Sequence, residues 1–183
     1  MSKRNNERGL SRRSVLKASA ASAAVFAAGS LGMPIRGRAA DAVKVGLIHP
    51  VTGFLSYSGN QCRAGALMAI DEINAAGGIA IDGGRRRIRL IVEDSEEGPE
   101  SAVGKALKLI NRDGVVALIG LPRTYNAIPV GKFAERQGIP LISTMSTHPE
   151  TTRDKTYVFR TAFLDSFQGQ VLADFAFDDL GAR

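Results

Sequence analysis

Cysteine occurs once in this sequence, at Cys62, and histidine only twice, at His49 and His148. A lone thiol cannot close an internal disulfide, so the core must stand without one, and Cys62 reads as a small packed residue near a helix start. Two histidines and one cysteine far apart supply no recognisable zinc spacing, and no cofactor is expected. No apolar run is long enough to make a mature transmembrane helix. A Gly-x-Gly-x-x-Gly after the first predicted strand is also missing, which argues against a dinucleotide site. The stretch GPESAVGKA, Gly98 to Ala106, looks like a phosphate loop but has five residues between its glycines instead of four. Ala106 stands where magnesium binding needs Ser or Thr.

Acidic residues are scarce in one region only. Residues 1–42 carry eight Lys and Arg against Glu7 and Asp41, whereas the remaining 141 residues hold 16 basic and 16 acidic side chains. The basic excess therefore belongs to the leader, the rest is formally neutral, and nucleic acid is not an expected partner. The leader has the layout of an export signal: SRRSVLK (Ser11 to Lys17), an Ala/Ser-rich run from Ala18 to Ala28, then RGRAADA. The pair Arg12 and Arg13 points to the twin-arginine route, with its translocase as a partner during export and a periplasmic or extracellular destination. Val15 stands where that route usually shows Phe. Cleavage after Ala42 would start the mature chain at Val43, and cleavage after Ala39 is the other option. No cysteine follows the apolar region, which disfavours a lipid anchor.

From Val43 to Arg183 short apolar runs alternate with helical patterns, the signature of β-α-β units. The expected class is α/β, a doubly wound parallel sheet in three layers, α/β/α. Strands are predicted at Val43 to Ile48, Arg87 to Asp94, Val115 to Gly120, Ile139 to Ser143 and Tyr157 to Ala162. After a loop to Gly59, a helix through Asn74 would present Ala66, Ala69, Ile70 and Ile73 on one face and stop at Gly77-Gly78. Pro99 opens a second helix with Val103, Ala106, Leu107 and Ile110 on its apolar stripe. A third spans Thr124 to Gln137, ended by Gly138. Asp165 and Gln168 suggest a capping box for a last helix through Val171, Leu172 and Phe175. The final DDLGAR reads as a helix end handing over to another strand, so the expectation is a truncated chain carrying one lobe of something larger.

In such a sheet ligands sit beyond the carboxyl ends of the strands, near the point where strand order reverses. Three predicted strand ends lead into polar or glycine-bearing loops: His49 to Gly59, Gly120 to Asn126 and Ser143 to Glu150. Hydroxyls and helix-start amides converging on one crevice suit a small zwitterion or carboxylate. Ser143, Ser146 and His148 invite a hydrolase reading instead. No serine has the Gly-x-Ser-x-Gly elbow, however, and neighbours on an extended loop tend to point apart. That reading would require ester turnover abolished at Ser143 or Ser146. The cluster Arg85, Arg86, Arg87 and Arg89 reads as solvation of an exposed edge, with partner docking as the alternative. Glu93, Asp94, Glu96 and Glu97 read as a solvated acidic loop.

Together KVGLIHPVTGFLSYSG, GALMAIDEINAAGGI, ALIGLP, GIPLISTMSTHPETT and FRTAFLDSFQGQVLADF carry a resemblance. In that order and spacing they resemble the amino-terminal lobe of type I periplasmic solute-binding proteins, in the branched-chain amino acid (Leu/Ile/Val) receptor group of ABC importers. The resemblance implies two similar α/β lobes closing on a solute about a hinge, with no enzymatic activity. It implies an amino acid or small carboxylate as solute and ABC permease subunits as partners. The same lobe also serves ligand-sensing receptors, where closure signals instead of delivering. Position by position, Thr124 would hold the solute's α-carboxylate. Met145 would contribute backbone contacts and Thr147 side-chain contacts. Tyr57 or Ser58 would stand at the cleft edge, with Ser146 and Tyr125 beside the pocket. The family's lobe disulfide would fall near Glu96 and at Arg123, and neither is cysteine here. Met145 also replaces a usually small residue.

Overall fold

The computed structural model describes residues 42–95 and 98–183. The expected export signal with Arg12 and Arg13, Asp41 of the expected cleavage region, and Glu96 and Glu97 lie outside the described residues. The main sheet contains β1 (Val43–His49), β4 (Ile88–Asp94), β5 (Ala117–Gly120), β6 (Leu141–Ser143) and β7 (Val158–Arg160). All neighbours are parallel, in the order β4-β1-β5-β6-β7. The chain leaves β1 toward β4 on one side and then returns to β5 on the other. Right-handed crossovers consequently place the intervening helices on opposite faces.

One face is closed by α2 (Pro99–Leu107) and α3 (Thr124–Gln137). Ile48, Leu118, Leu141 and Val158 of the sheet pack there with Ala102, Ala106 and Leu109, and with Ala127, Val130 and Phe133. Burial of such aliphatic side chains contributes about 1.5 to 3 kcal/mol each and dominates the stability of the lobe. The stripe of α2 centres on Ala102 and Ala106, with Val103 and Ile110 flanking it and Leu107 turned outward. The predicted stripe was thus displaced by about one position. The helix also ends in a wider π turn over Lys108–Arg112, which carries Leu109 into the core.

On the other face α1 (Ser56–Ala75) runs along β1 and β4. It starts before the predicted boundary at Gly59, so Tyr57 and Ser58 belong to its first turn and not to a loop. Gly59 is its one buried residue, because a Cβ there would lie 1.7 Å from the Pro50 carbonyl oxygen. Ala66 and Ile70 are half-buried while Ala69 and Ile73 stay exposed. Asn74 docks the helix end by donating to the Ile88 carbonyl and accepting from the Ile88 amide, at 2.9 and 2.8 Å. Gly77 and Gly78 then take positive φ and stop the helix as expected.

A hairpin, β2 (Ile79–Ile81) with β3 (Gly84–Arg86), replaces the simple turn predicted at Asp82-Gly83-Gly84. Its two-residue loop, Asp82-Gly83, has both φ positive, the arrangement that matches strand twist. Arg85 donates to the carbonyls of Ala76 and Gly78, so it also serves the carboxyl end of α1. One further expectation is corrected at α4 (Asp165–Asp174). The cap position is Leu164 with no side-chain bond, and Gln168 reaches back to the Phe163 carbonyl, so no capping box forms. Val171, Leu172 and Phe175 are exposed, because no described element packs over them. Among the described residues no helix is long and apolar enough to cross a membrane.

Candidate functional site

The reversal of strand order falls between β1 and β5, and the loops leaving β1, β5 and β6 meet there. Gly120 is the residue that permits this. It has a φ of 128°, and a Cβ would lie 2.2 Å from the Ile48 carbonyl oxygen and 3.0 Å from His49 Cδ2. Leu121 follows with a φ of 57°, sparsely populated for a non-glycine residue. Its amide donates to Ile48 O at 2.8 Å and its carbonyl accepts the Ser143 hydroxyl at 3.0 Å. The buried Leu121 side chain completes the clamp, and the chain is thereby turned into α3 at Thr124.

α3 begins without a side-chain cap, since Arg123 precedes it in extended conformation. Its first amides therefore lack an intrahelical partner and carry the positive end of the helix dipole. At this point the Thr124 hydroxyl lies 3.1 Å from that of Ser146, which lies 2.6 Å from that of Thr151. Ser146 and Thr151 are fully buried, so Ser146 backs Thr124 and does not face solvent itself. Met145, 50% exposed, and half-buried Thr147 flank this hydroxyl chain on the β6 loop. Tyr125 is exposed beside it, with the Arg123 guanidinium 4.7 Å above its ring. Tyr57, 79% exposed, and half-buried Ser58 sit on α1 beyond the β1 loop. Thr124 and Ser146 are in contact; for Tyr57 and Ser58 no bond to either is formed.

Sequence reasoning missed the residues that shape these loops. Asp94 is no solvated bystander: its carboxylate accepts from the Val51 amide at 3.1 Å and from the Thr52 hydroxyl, pinning the β1 loop. Glu93 pairs with Lys108 and is largely shielded, which corrects the same reading. Arg160 on β7 donates to the carbonyls of Thr147, His148 and Pro149 and to the Thr152 hydroxyl. Its guanidinium thus gathers the carbonyls of the β6 loop on one side. Asn126, buried in α3, donates to the Ser95 carbonyl at 3.2 Å. A basic residue in a strand and an acidic one at a strand end are the only signals the sequence offers for these roles.

The serines tempting for hydrolysis are occupied. Ser143 and Ser146 are buried with hydroxyls engaged as above, whereas His148 Nδ1 accepts from the Glu150 amide at 3.1 Å on the exposed loop. These three residues form no nucleophile and base pair. Among the described residues no three His, Cys, Asp or Glu side chains gather to hold a metal ion.

His49, at the end of β1, is fully buried, with Nε2 3.0 Å from the Thr144 hydroxyl. Its Nδ1 has no partner among the described residues. Burial lowers its pKa from 6.5 to about 4, because the charged imidazolium would lose water, and its Nδ1 gains no acceptor among the described residues. The unfolded chain therefore holds this proton between pH 6.5 and about 4 while the folded one does not. Stability is complete above pH 6.5 and falls as pH drops toward 4, by about 2 kcal/mol after discounting for screening. Denaturant unfolding at pH 7 and pH 4.5 should show this loss in the wild type and a smaller one in His49→Gln.

Comparison with known proteins matches residues 42–183 to the periplasmic binding protein family. The leucine-, isoleucine-, valine-, threonine- and alanine-binding protein of Pseudomonas aeruginosa is 38% identical over 138 residues, 75% of this chain and 36% of that protein. The leucine-specific-binding protein of Salmonella typhimurium is 36% identical over 141 residues, 76% of this chain and 37% of its own length. This chain accordingly spans little more than a third of these relatives. Among solved structures, the branched-chain amino acid transporter substrate binding protein LivJ of Streptococcus pneumoniae, in complex with isoleucine, superposes with a TM-score of 0.69. It is 30% identical over 77% of this chain and 39% of that one. An ABC transporter solute binding protein of R. palustris, in complex with benzoate, gives 0.64 at 29% identity, covering 75% and 37%.

Proposed function

The chain belongs to the periplasmic binding protein family, and from that premise we propose that it is a lobe of an extracytoplasmic receptor delivering a small carboxylate-bearing solute to an ABC permease. One observation carries this reading: the hydroxyl chain Thr124, Ser146 and Thr151 at the uncapped start of α3, beside the strand-order reversal. A carboxylate there accepts hydrogen bonds from the Thr124 hydroxyl and first-turn amides and lies at the favourable end of the dipole. Thr147 and the Met145 backbone are the adjacent contacts, and Tyr125 and Tyr57 are the aromatic walls. Thr151 donating to Ser146 and Ser146 donating to the Thr124 oxygen leave the Thr124 proton free for the carboxylate.

Branched-chain amino acids are the leading solutes, because the relatives above are named for them. The benzoate complex extends the class to other carboxylates. The exposed ledge is one wall of a site, and closure by a second lobe about a hinge would supply the other. Arg12 and Arg13 support delivery to the periplasm by the twin-arginine translocase. A thermal-shift screen against amino acids and aromatic carboxylates, on this chain and on any longer product of its reading frame, tests the reading. Stabilisation by one of them is expected, and no response to any would overturn it. In the responsive protein Thr124→Ala and Thr147→Ala should each weaken binding by about 1 to 3 kcal/mol by calorimetry. Wild-type affinity in both would refute these site residues.

A further inference from the structure

At the opposite end of the sheet, by the amino ends of β1 and β4, lies a groove of about 580 Å³ that none of the proposed solute-site residues lines. Its walls bring together Lys44, Arg86 and Arg89 with Val43, Ile81 and Val116, and no carboxylate is among the lining residues. The neutral sum of charges over residues 43–183 conceals a segregation. Arg85 to Arg89 run from β3 into the amino end of β4, and Glu93 and Asp94 stand at its carboxyl end.

The three cations are only weakly committed elsewhere. Lys44 spends one of three donors on the Asp113 carbonyl at 2.8 Å, and Asp113 pairs its carboxylate with Arg112. Arg86 has a 3.8 Å contact with Asp82, an exposed pair on the hairpin turn that contributes little. Parallel pairing sets Lys44 directly opposite Arg89 on adjacent strands. Like charges so placed repel unless an anion lies between them. Solvating an edge needs no groove, whereas guanidinium forks beside an ammonium match the oxygens of a phosphate group. Three positive charges favour a multiply charged oxyanion over a single carboxylate.

We propose that the groove lined by Lys44, Arg86 and Arg89 is a second, anion-binding site that takes a phosphate group, separate from the solute ledge. Val43, Ile81 and Val116 beside the cations accommodate an apolar portion of the phosphate's carrier. Both a free phosphate compound and an anionic phospholipid headgroup offer this chemistry.

The test compares the full chain with Arg86→Gln/Arg89→Gln and with a charge-matched control, Arg63→Gln/Arg136→Gln. All three keep residues 1–42, so the leader contributes equally. Inorganic phosphate is titrated while amide shifts of Lys44, Gly114 and Val116 are followed by NMR at low salt. Saturable shifts in wild type and control, with affinity at least about tenfold weaker in Arg86→Gln/Arg89→Gln, support the site. Sedimentation with phosphatidylglycerol but not phosphatidylcholine vesicles, reduced only in the groove variant, also supports it and assigns the headgroup as source. The proposal is overturned if neither probe binds at the groove, or if both variants lose binding equally. Arg89→Gln alone repeats the comparison if the double variant does not fold.

Discussion

Gly120→Ala is expected to destabilise the lobe by about 3 to 5 kcal/mol. Two costs combine. The backbone φ of 128° is unfavourable for any residue with a Cβ, and the added carbon would sit 2.2 Å from the Ile48 carbonyl oxygen. Neither can relax cheaply. Ile48 is fully buried on β1, its carbonyl already accepts the Leu121 amide, and Gly120 is paired to both Ile48 and Ser143. Moving β5 away would also shift Leu121 and the start of α3, so Thr124 would leave Ser146. Equilibrium unfolding by urea measures the effect, and a change below about 1 kcal/mol would mean that β1 and β5 tolerate separation. Gly59 approaches Pro50 even more closely, but α1 is anchored by little other burial and has room to slide.

Arg160→Met should cost about 2 to 4 kcal/mol and loosen the β6 loop. The guanidinium donates to three successive carbonyls, of Thr147, His148 and Pro149, at 3.2, 2.9 and 3.3 Å, and to the Thr152 hydroxyl. Bonds to a charged donor are worth more than neutral ones, and the stranded carbonyls must find water in a partly buried place. Amide hydrogen exchange across Thr147 to Thr152 should quicken well beyond the change in global stability. Arg160→Lys should restore less than half, because an ammonium cannot span the carbonyls as a planar fork does. Exchange that merely follows global unfolding in both variants would remove Arg160 from the role of positioning the solute loop.

The order of elements was legible because burial writes itself into short apolar runs and glycine stops. VKVGLI, RIRLIVED, VVALIG and IPLIS each became a strand in the central sheet, although β5, β6 and β7 came out shorter than predicted. Gly138 ends α3 as read from the sequence, and the structure gives it left-handed conformation. The apolar faces of α1 and α4 were recognisable as patterns, yet their burial depends on what packs above them. At the site, Thr124 was pointed to by the family resemblance and Ser146 lay on a loop at a predicted strand end, and the fold brings them into contact.

The amino-acid sequence by itself determined the alternation of strand and helix, the family, and the polar loops at strand ends that we propose hold a solute. These depend on local period, on backbone freedom at glycine, and on hydroxyls placed at strand ends. Only the tertiary structure decided which polar residues hold that site together. Asp94 meets the β1 loop across 43 positions, His49 meets Thr144 across 95, and Arg160 closes on carbonyls 11 to 13 residues back. The basic groove has the same origin, since Lys44 and Arg89 become neighbours only through strand pairing. A hydrogen bond or charge contact depends on distance in space, and a linear pattern carries no measure of distance between strands until the sheet has formed.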